Sequence, residues 1–182
     1  MIYRSKYSIA ICPPSVVVDH VRVMKNLLKE QIKWFASCRS EAHITINTLE
    51  ATDEELQRWK NYLVIFCKNE SPFEIHLTRF DFNSTGAFIM RPDEASGNHL
   101  LEMMKKFHES KPLHAVSEST DAHLSIARRL KPEQLQTVKT LYENQHPDLK
   151  FSCDNIAIRK FNPQIRQYEI ESRCGFAGIP MG

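Results

Sequence analysis

Two six-residue segments are near copies of each other: Glu41-Ala42-His43-Ile44-Thr45-Ile46 and Asp121-Ala122-His123-Leu124-Ser125-Ile126. They agree position by position as acid, alanine, histidine, aliphatic, hydroxyl, isoleucine. On a strand, residues i and i+2 point the same way, so each copy presents an imidazole beside a hydroxyl and turns its aliphatic residues to the opposite face. A chain that carries this unit twice is constrained to an internally repeated fold in which two matching polar strand faces are available to one cleft.

The surrounding pattern supports a repeat. Tyr7 to Cys12 is a short apolar run stopped by Pro13-Pro14 and reads as a strand. From Ser15 to about Phe35, apolar residues recur at Val17, Val21, Met24, Leu28, Ile32 and Phe35, the period of an amphipathic helix, with Lys25, Lys29, Glu30 and Lys33 on its polar face. The first motif strand runs from Ala42 to Leu49. Thr52 then offers an N-cap to an acidic first turn, and the second helix continues through Leu56, Trp59, Leu63 and Phe66. Phe73 to Phe82 and Thr85 to Met90 read as a hairpin turning at Asn83-Ser84, its second strand weakened by Gly86. A helix over about Gly97 to His108 precedes the second motif strand, His123 to Arg129, and Pro132 opens a fourth helix through Leu135, Val138 and Leu141. Two strands close the chain, Phe151 to Phe161 and Tyr168 to Cys174, turning at Asn162-Pro163. Gly175 to Gly182 gives no firm signal.

The resulting order, β-α-β-α-β then β-α-β-α-β-β, predicts an α+β protein. One domain over residues 1–182 is expected, with repeat halves of about 1–82 and 83–175. The expected form is a two-lobed, pseudo-symmetric fold, with two mainly antiparallel sheets lining a central cleft and helices outside.

Charge narrows the function. A net charge of +2 is too small for a protein that coats duplex DNA by counterion release, so a nucleic-acid substrate is expected to be gripped at an end. The five cysteines form an odd, scattered set without a CxxC pair, which suits free thiols in a reducing compartment. No run approaches the roughly 18 apolar residues of a membrane span, and Met1 to Pro14 lacks a signal-peptide core, so a cytoplasmic protein is expected.

A bare His-x-Thr/Ser carries little weight, since eight histidines yield about one such match by chance. His76-Leu77-Thr78 is a third match that lacks the acid-Ala pair, and it reads as structural. The extended double match is different. It resembles the 2H phosphoesterase superfamily, which includes bacterial proteins called 2′-5′ RNA ligases, cyclic nucleotide phosphodiesterases and related RNA-end-processing enzymes. The resemblance covers nearly the whole chain, including the C-terminal strands around Phe151-Ser152-Cys153-Asp154-Asn155-Ile156-Ala157-Ile158.

That resemblance implies a metal-independent, cofactor-free phosphodiesterase. Its expected substrates are 2′,3′-cyclic phosphates or related nucleotide and RNA phosphodiesters, and 2′-5′ ligation is a reverse activity it could also support. His43 and His123 are the expected catalytic residues, and Thr45 and Ser125 the expected phosphate-binding hydroxyls. The chemistry fits the residue types. A phosphodiester anion repels nucleophiles, so a catalyst must neutralise non-bridging oxygens, take a proton from the attacking water and give one to the departing oxygen. Two imidazoles that titrate near pH 6.5 can share the proton work. By analogy within the family, His123 is assigned as base and His43 as acid, an assignment whose direction the sequence leaves open.

Other residues read as structural first. Asn47 and Arg129 continue the motif parity but suit ordinary strand ends. Phe80, Phe82 and Phe88 suit core packing better than base stacking. Arg128, Arg159 and Lys160 read as a solvated basic edge more readily than as a phosphate-steering patch. The rival function is a non-catalytic module that binds a nucleotide or RNA end. A metal hydrolase is disfavoured because there is no HExxH and Asp19-His20 falls within the first helix pattern.

Overall fold

The computed structural model describes residues 3–177. Four helices pack around one curled antiparallel sheet. The elements are β1 (Ser5–Ile11), α1 (Ser15–Ile32), β2 (Ile44–Ala51), α2 (Asp53–Lys68), β3 (Phe73–Phe82), β4 (Phe88–Pro92), α3 (Glu94–Glu109), β5 (Ser117–Glu118), β6 (Leu124–Ala127), α4 (Pro132–Tyr142), β7 (Leu149–Cys153), β8 (Asn155–Asn162) and β9 (Gln167–Gly175). Among the described residues no helix is long and apolar enough to cross a membrane.

Local chemistry explains the helix ends. Thr52 and Glu55 form a reciprocal capping box at the start of α2, satisfying two otherwise orphaned N–H groups. Asp93 caps α3 by accepting from the Ser96 N–H, so that helix starts three residues earlier than apolar periodicity alone suggests. Trp59 of α2, 1% exposed, stacks on Phe107 of α3 with centroids 6.2 Å apart, and the Tyr62 hydroxyl donates to the Phe107 carbonyl at 2.7 Å. Burying each such side chain contributes on the order of 2 kcal/mol. Phe80, Phe82 and Phe88 pack with each other and, through Phe80 and Phe88, against Tyr142 of α4, which is the expected core role. Gly86, at φ +72°, lies in the β3–β4 turn and not in a strand, so it permits the turn instead of weakening β4.

Lys25 departs from the helical pattern. It is buried, and its ammonium donates to the carbonyls of Ser37 at 2.9 Å and Ser40 at 2.7 Å. Burial lowers its pKa to about 8. The two bonds offset the desolvation and tie the loop before β2 to α1.

The sheet runs β7-β3-β4-β6-β2-β1-β8-β9, with β5 attached to β2. Its halves, β7-β3-β4-β6 and β2-β1-β8-β9, join through one residue pair, Ile44 with Leu124. These are the two lobes. Each draws strands from both ends of the chain, so the sequence halves 1–82 and 83–175 interleave: β3 leaves its own half to pair with β4 and β7, and β8 returns to β1.

The expected single strand from Phe151 to Phe161 is instead two, broken at Asp154. β7 pairs with β3 on one side of the sheet, while β8 pairs with β1 and β9 on the other. Six strand spacings of about 4.8 Å would separate β7 from β8 in a flat sheet, roughly 29 Å. One intervening residue can bridge only about 7 Å. The sheet must therefore curl until its ends approach, which makes the concave cleft between the lobes.

Candidate active site

β2 and β6 lie side by side at the middle of the sheet. Residues opposite one another in an antiparallel ladder share a face. Extending the Ile44–Leu124 register sets His43 across from Ser125 and Thr45 across from His123. All four expected site residues thus project to the same face, and diagonal neighbours in a regular ladder lie roughly 7–8 Å apart. Ile44 and Leu124, fully buried, anchor the opposite face in the core.

The likeness of the two motif copies extends to the backbone. In the β1–β2 ladder, Thr45 opposes Ala10 and Asn47 opposes Ile9, leaving Ile46 unpaired; in the β4–β6 ladder, Ser125 opposes Ile89 and Ala127 opposes Phe88, leaving Ile126 unpaired. Each motif therefore ends in a β-bulge at its sixth residue, which bends the strand just beyond the hydroxyl. The first bulge also breaks the parity that would place Asn47 beside Thr45. Asn47 now opposes the core residue Ile9 and is buried, with neither side-chain amide atom hydrogen-bonded among the described residues. Arg129 lies beyond β6 at φ +53° and leaves the strand face as well.

The acid at the first motif position does a different job in each copy. In the first, the backbone carbonyl of Glu41 takes a 2.7 Å hydrogen bond from His43 Nδ1, while the Glu41 carboxylate turns outward to Arg22, 3.7 Å away. This fixes the tautomer with the proton on Nδ1 and leaves Nε2 as the basic nitrogen. Burial, then the Arg159 guanidinium, push the His43 pKa down to about 3, against the opposing pull of the Glu41 bond. The ring is therefore neutral at pH 7.

In the second copy the carboxylate itself is used. Asp121 Oδ2 lies 3.2 Å from His123 Nδ1, close enough to balance a positive ring although not aligned as a hydrogen bond. Its other oxygen accepts from Arg91 Nη1 at 2.6 Å, and Arg91 also grips Asp81. The guanidinium holds Asp81 below the usual carboxylate range. Asp81 of β3, Arg91 of β4 and Asp121 thus brace His123 from the neighbouring lobe strands. Sequence reasoning missed Arg91 and Asp81; the acid-Ala pair before each histidine was the available signal for Asp121.

Arg159 of β8 is a further residue that sequence reasoning undervalued. Ala10 pairs with both Thr45 and Ala157, so Arg159, two residues on from Ala157, shares the face of Thr45. It is only 4% exposed, its Nη1 has no hydrogen-bond partner among the described residues, and its guanidinium lies 5.5 Å from the centre of the Tyr168 ring. The expectation of a solvated edge holds for the exposed Arg128 and Lys160 and fails for Arg159. His76 is occupied structurally: its Nε2 contacts Asp148 at 2.6 Å and its Nδ1 lies 3.5 Å from Asp93, the α3 cap. All five cysteines are free thiols.

A curled antiparallel sheet whose two central strands each carry a His-x-Thr/Ser unit on the cleft face defines the 2H phosphoesterase class. Comparison with known proteins agrees. The sequence model of the 2′-5′ RNA ligase superfamily matches residues 13–164, and the chain belongs to that superfamily. Among solved structures, TT0787 of Thermus thermophilus superposes with a TM-score of 0.65 at 14% identity, covering 95% of this chain and 98% of that one. Escherichia coli LigT complexed with 3′-AMP gives 0.61 at 11% identity, covering 97% and 100%. Kluyveromyces marxianus Usb1 gives 0.54 at 11% identity, covering 87% and 95%. At these identities the likeness is one of fold. No curated protein sequence matches the chain significantly.

Proposed function

We propose that this protein is a phosphodiesterase that opens 2′,3′-cyclic phosphates at a nucleotide or RNA end by two-histidine acid-base catalysis without a metal ion. The observation that carries the reading is the Ile44–Leu124 register, which turns both His-x-Thr/Ser units to one cleft while giving the two rings different partners. Family membership supports the reaction class, and the LigT structure complexed with 3′-AMP supports a nucleotide as the kind of ligand.

The different partners favour one direction, the reverse of the family analogy. His43, neutral with Nε2 unprotonated, is the base: it takes a proton from water as the water oxygen bonds to phosphorus. His123, backed by Asp121, is the acid: it gives a proton to the ribose oxygen as the P–O bond to that oxygen breaks. Thr45 and Ser125 hydroxyls donate to the non-bridging oxygens, where charge accumulates. Hydrolysis consumes one water and leaves a ribose phosphomonoester; solvent exchange resets both rings. Ligation would be the same ring opening with the 5′-hydroxyl of a second RNA end in place of water: His43 takes its proton and His123 gives one to the departing 3′ oxygen, leaving a 2′-5′ diester.

The test is hydrolysis of the four nucleoside 2′,3′-cyclic phosphates in excess EDTA by wild type, His43→Ala and His123→Ala, resolving 2′- from 3′-phosphate products. Turnover by wild type and loss on the order of a hundredfold or more in each folded variant is expected. Tight binding of nucleotide with no turnover would instead select the non-catalytic binding module.

A further inference from the structure

Beside the motif cleft lies a separate cavity of about 580 Å³ that the two-histidine mechanism does not use. Glu41, Ala42 and Arg159 line it, and the Cα of Ala42 lies about 3.8 Å from that of His43, so the cavity borders the strand that carries the first imidazole. Three of its features attract anions. Arg159 lines it and is the buried guanidinium whose Nη1 has no partner among the described residues. Arg39 and Arg173, both exposed, line it from the loop before β2 and from β9. The 18-residue helix α1 begins at its wall, where no side chain caps the helix and no acidic residue occupies the first turn. An uncapped helix N-terminus presents free N–H groups and the positive end of the helix dipole.

The lining carries four arginines, Arg22, Arg39, Arg159 and Arg173, against three acids, Asp19, Glu41 and Glu169, an excess of one positive charge. Asp19 at 2.5 Å and Glu41 at 3.7 Å both lie against Arg22. Among the described residues Arg159 has no carboxylate within ion-pair distance and its Nη1 no hydrogen-bond partner, although leaving a buried guanidinium N–H unpaired is costly. Tyr168, on the same wall, supplies an aromatic face beneath Arg159.

We infer that this cavity is a subsite for a second phosphate group of the substrate, adjoining the one that reacts. The inference rests on the proposed phosphodiesterase reading for what the cleft does, but not for anion binding itself. It makes the preferred substrate a nucleotide or RNA end that carries a phosphate beyond the cyclic one, either a 5′-phosphomonoester or the flanking phosphodiester of an oligonucleotide.

Two measurements test it. The first needs no turnover: inorganic pyrophosphate is titrated into wild type, Arg159→Gln and Arg39→Gln, with binding followed by amide chemical shifts and calorimetry. Shifts should map to Ala42, the first turn of α1 and β9, with affinity about tenfold weaker in Arg159→Gln. Arg39→Gln, at an exposed position, should also weaken binding and keeps the test valid if Arg159→Gln fails to fold. The second compares kcat/KM for adenosine 2′,3′-cyclic phosphate, its 5′-phosphorylated form and the dinucleotide ApA 2′,3′-cyclic phosphate. Wild type should favour the last two, and the ratio should collapse in Arg159→Gln; whichever of the two shows the greater preference identifies the phosphate source. Pyrophosphate binding that maps elsewhere, or is equal in all three proteins, overturns the subsite. So do equal kcat/KM values for all three substrates. Arginine-dependent pyrophosphate binding without any turnover would uphold the subsite and refute the phosphodiesterase reading.

Discussion

Replacing His43 by Asn and comparing the pH dependence of stability with wild type isolates the electrostatics of the candidate base. In an unfolded chain a histidine titrates near pH 6.5, whereas burial beside Arg159 lowers His43 to about 3 in the fold. Between those values the unfolded state holds a proton that the native state lacks, so stability is full above pH 6.5 and falls as pH drops, by about 1.4 kcal/mol per unit. Two of the three units from pH 7.5 to 4.5 lie below 6.5, which gives roughly 2.7 kcal/mol. Asn keeps an amide N–H near the position of Nδ1, able to donate to the Glu41 carbonyl, but does not titrate. Groups common to both proteins cancel in the comparison. Urea unfolding at the two pH values, in buffer without phosphate, should show wild type losing about 2–3 kcal/mol more than His43→Asn. Added phosphate should shrink that gap, because an anion in the cleft favours the protonated ring. Parallel losses in the two proteins, or an imidazole resonance of His43 titrating near pH 6.5, would refute the reasoning.

Asp121→Asn removes the carboxylate behind His123 while leaving a side chain for Arg91; kcat for cyclic-phosphate hydrolysis should fall on the order of a hundredfold, with little change in melting temperature. Thr52→Ala breaks the capping box of α2 and should cost about 1 kcal/mol in urea unfolding. Gly86→Ala places a Cβ 3.3 Å from the Leu130 carbonyl at a φ of +72°, so a loss of about 1 kcal/mol or more is expected from the same assay.

Periodicity located the four helices and most strands because each buries one face, and burial writes a period of 3.6 or 2 into the sequence. It failed where a single residue changes the geometry. Nothing in the apolar run Phe151 to Phe161 marks Asp154 as the point where the chain passes from one side of the sheet to the other. Lys25 was read as solvated because side-chain type was the only guide, and its carbonyl partners Ser37 and Ser40 come from a loop that only the fold brings near. The two-residue β5 was too short to leave any pattern.

The site divides in the same way. The duplicated acid-Ala-His-aliphatic-hydroxyl-Ile unit was enough to single out His43, Thr45, His123 and Ser125 as candidates and to put each pair on one strand face, since strand alternation is a local property of the backbone. That both faces meet in one cleft depends on the Ile44–Leu124 pairing and on the curl of the sheet. The difference between the histidines is likewise tertiary: Glu41 and Asp121 look equivalent in sequence, yet one offers its carbonyl and the other its carboxylate, braced by Arg91 from a strand thirty residues away. Burial and charge pairing are sums over neighbours from distant parts of the chain, and for that reason the sequence singled out the candidate groups while the fold decided what surrounds each ring.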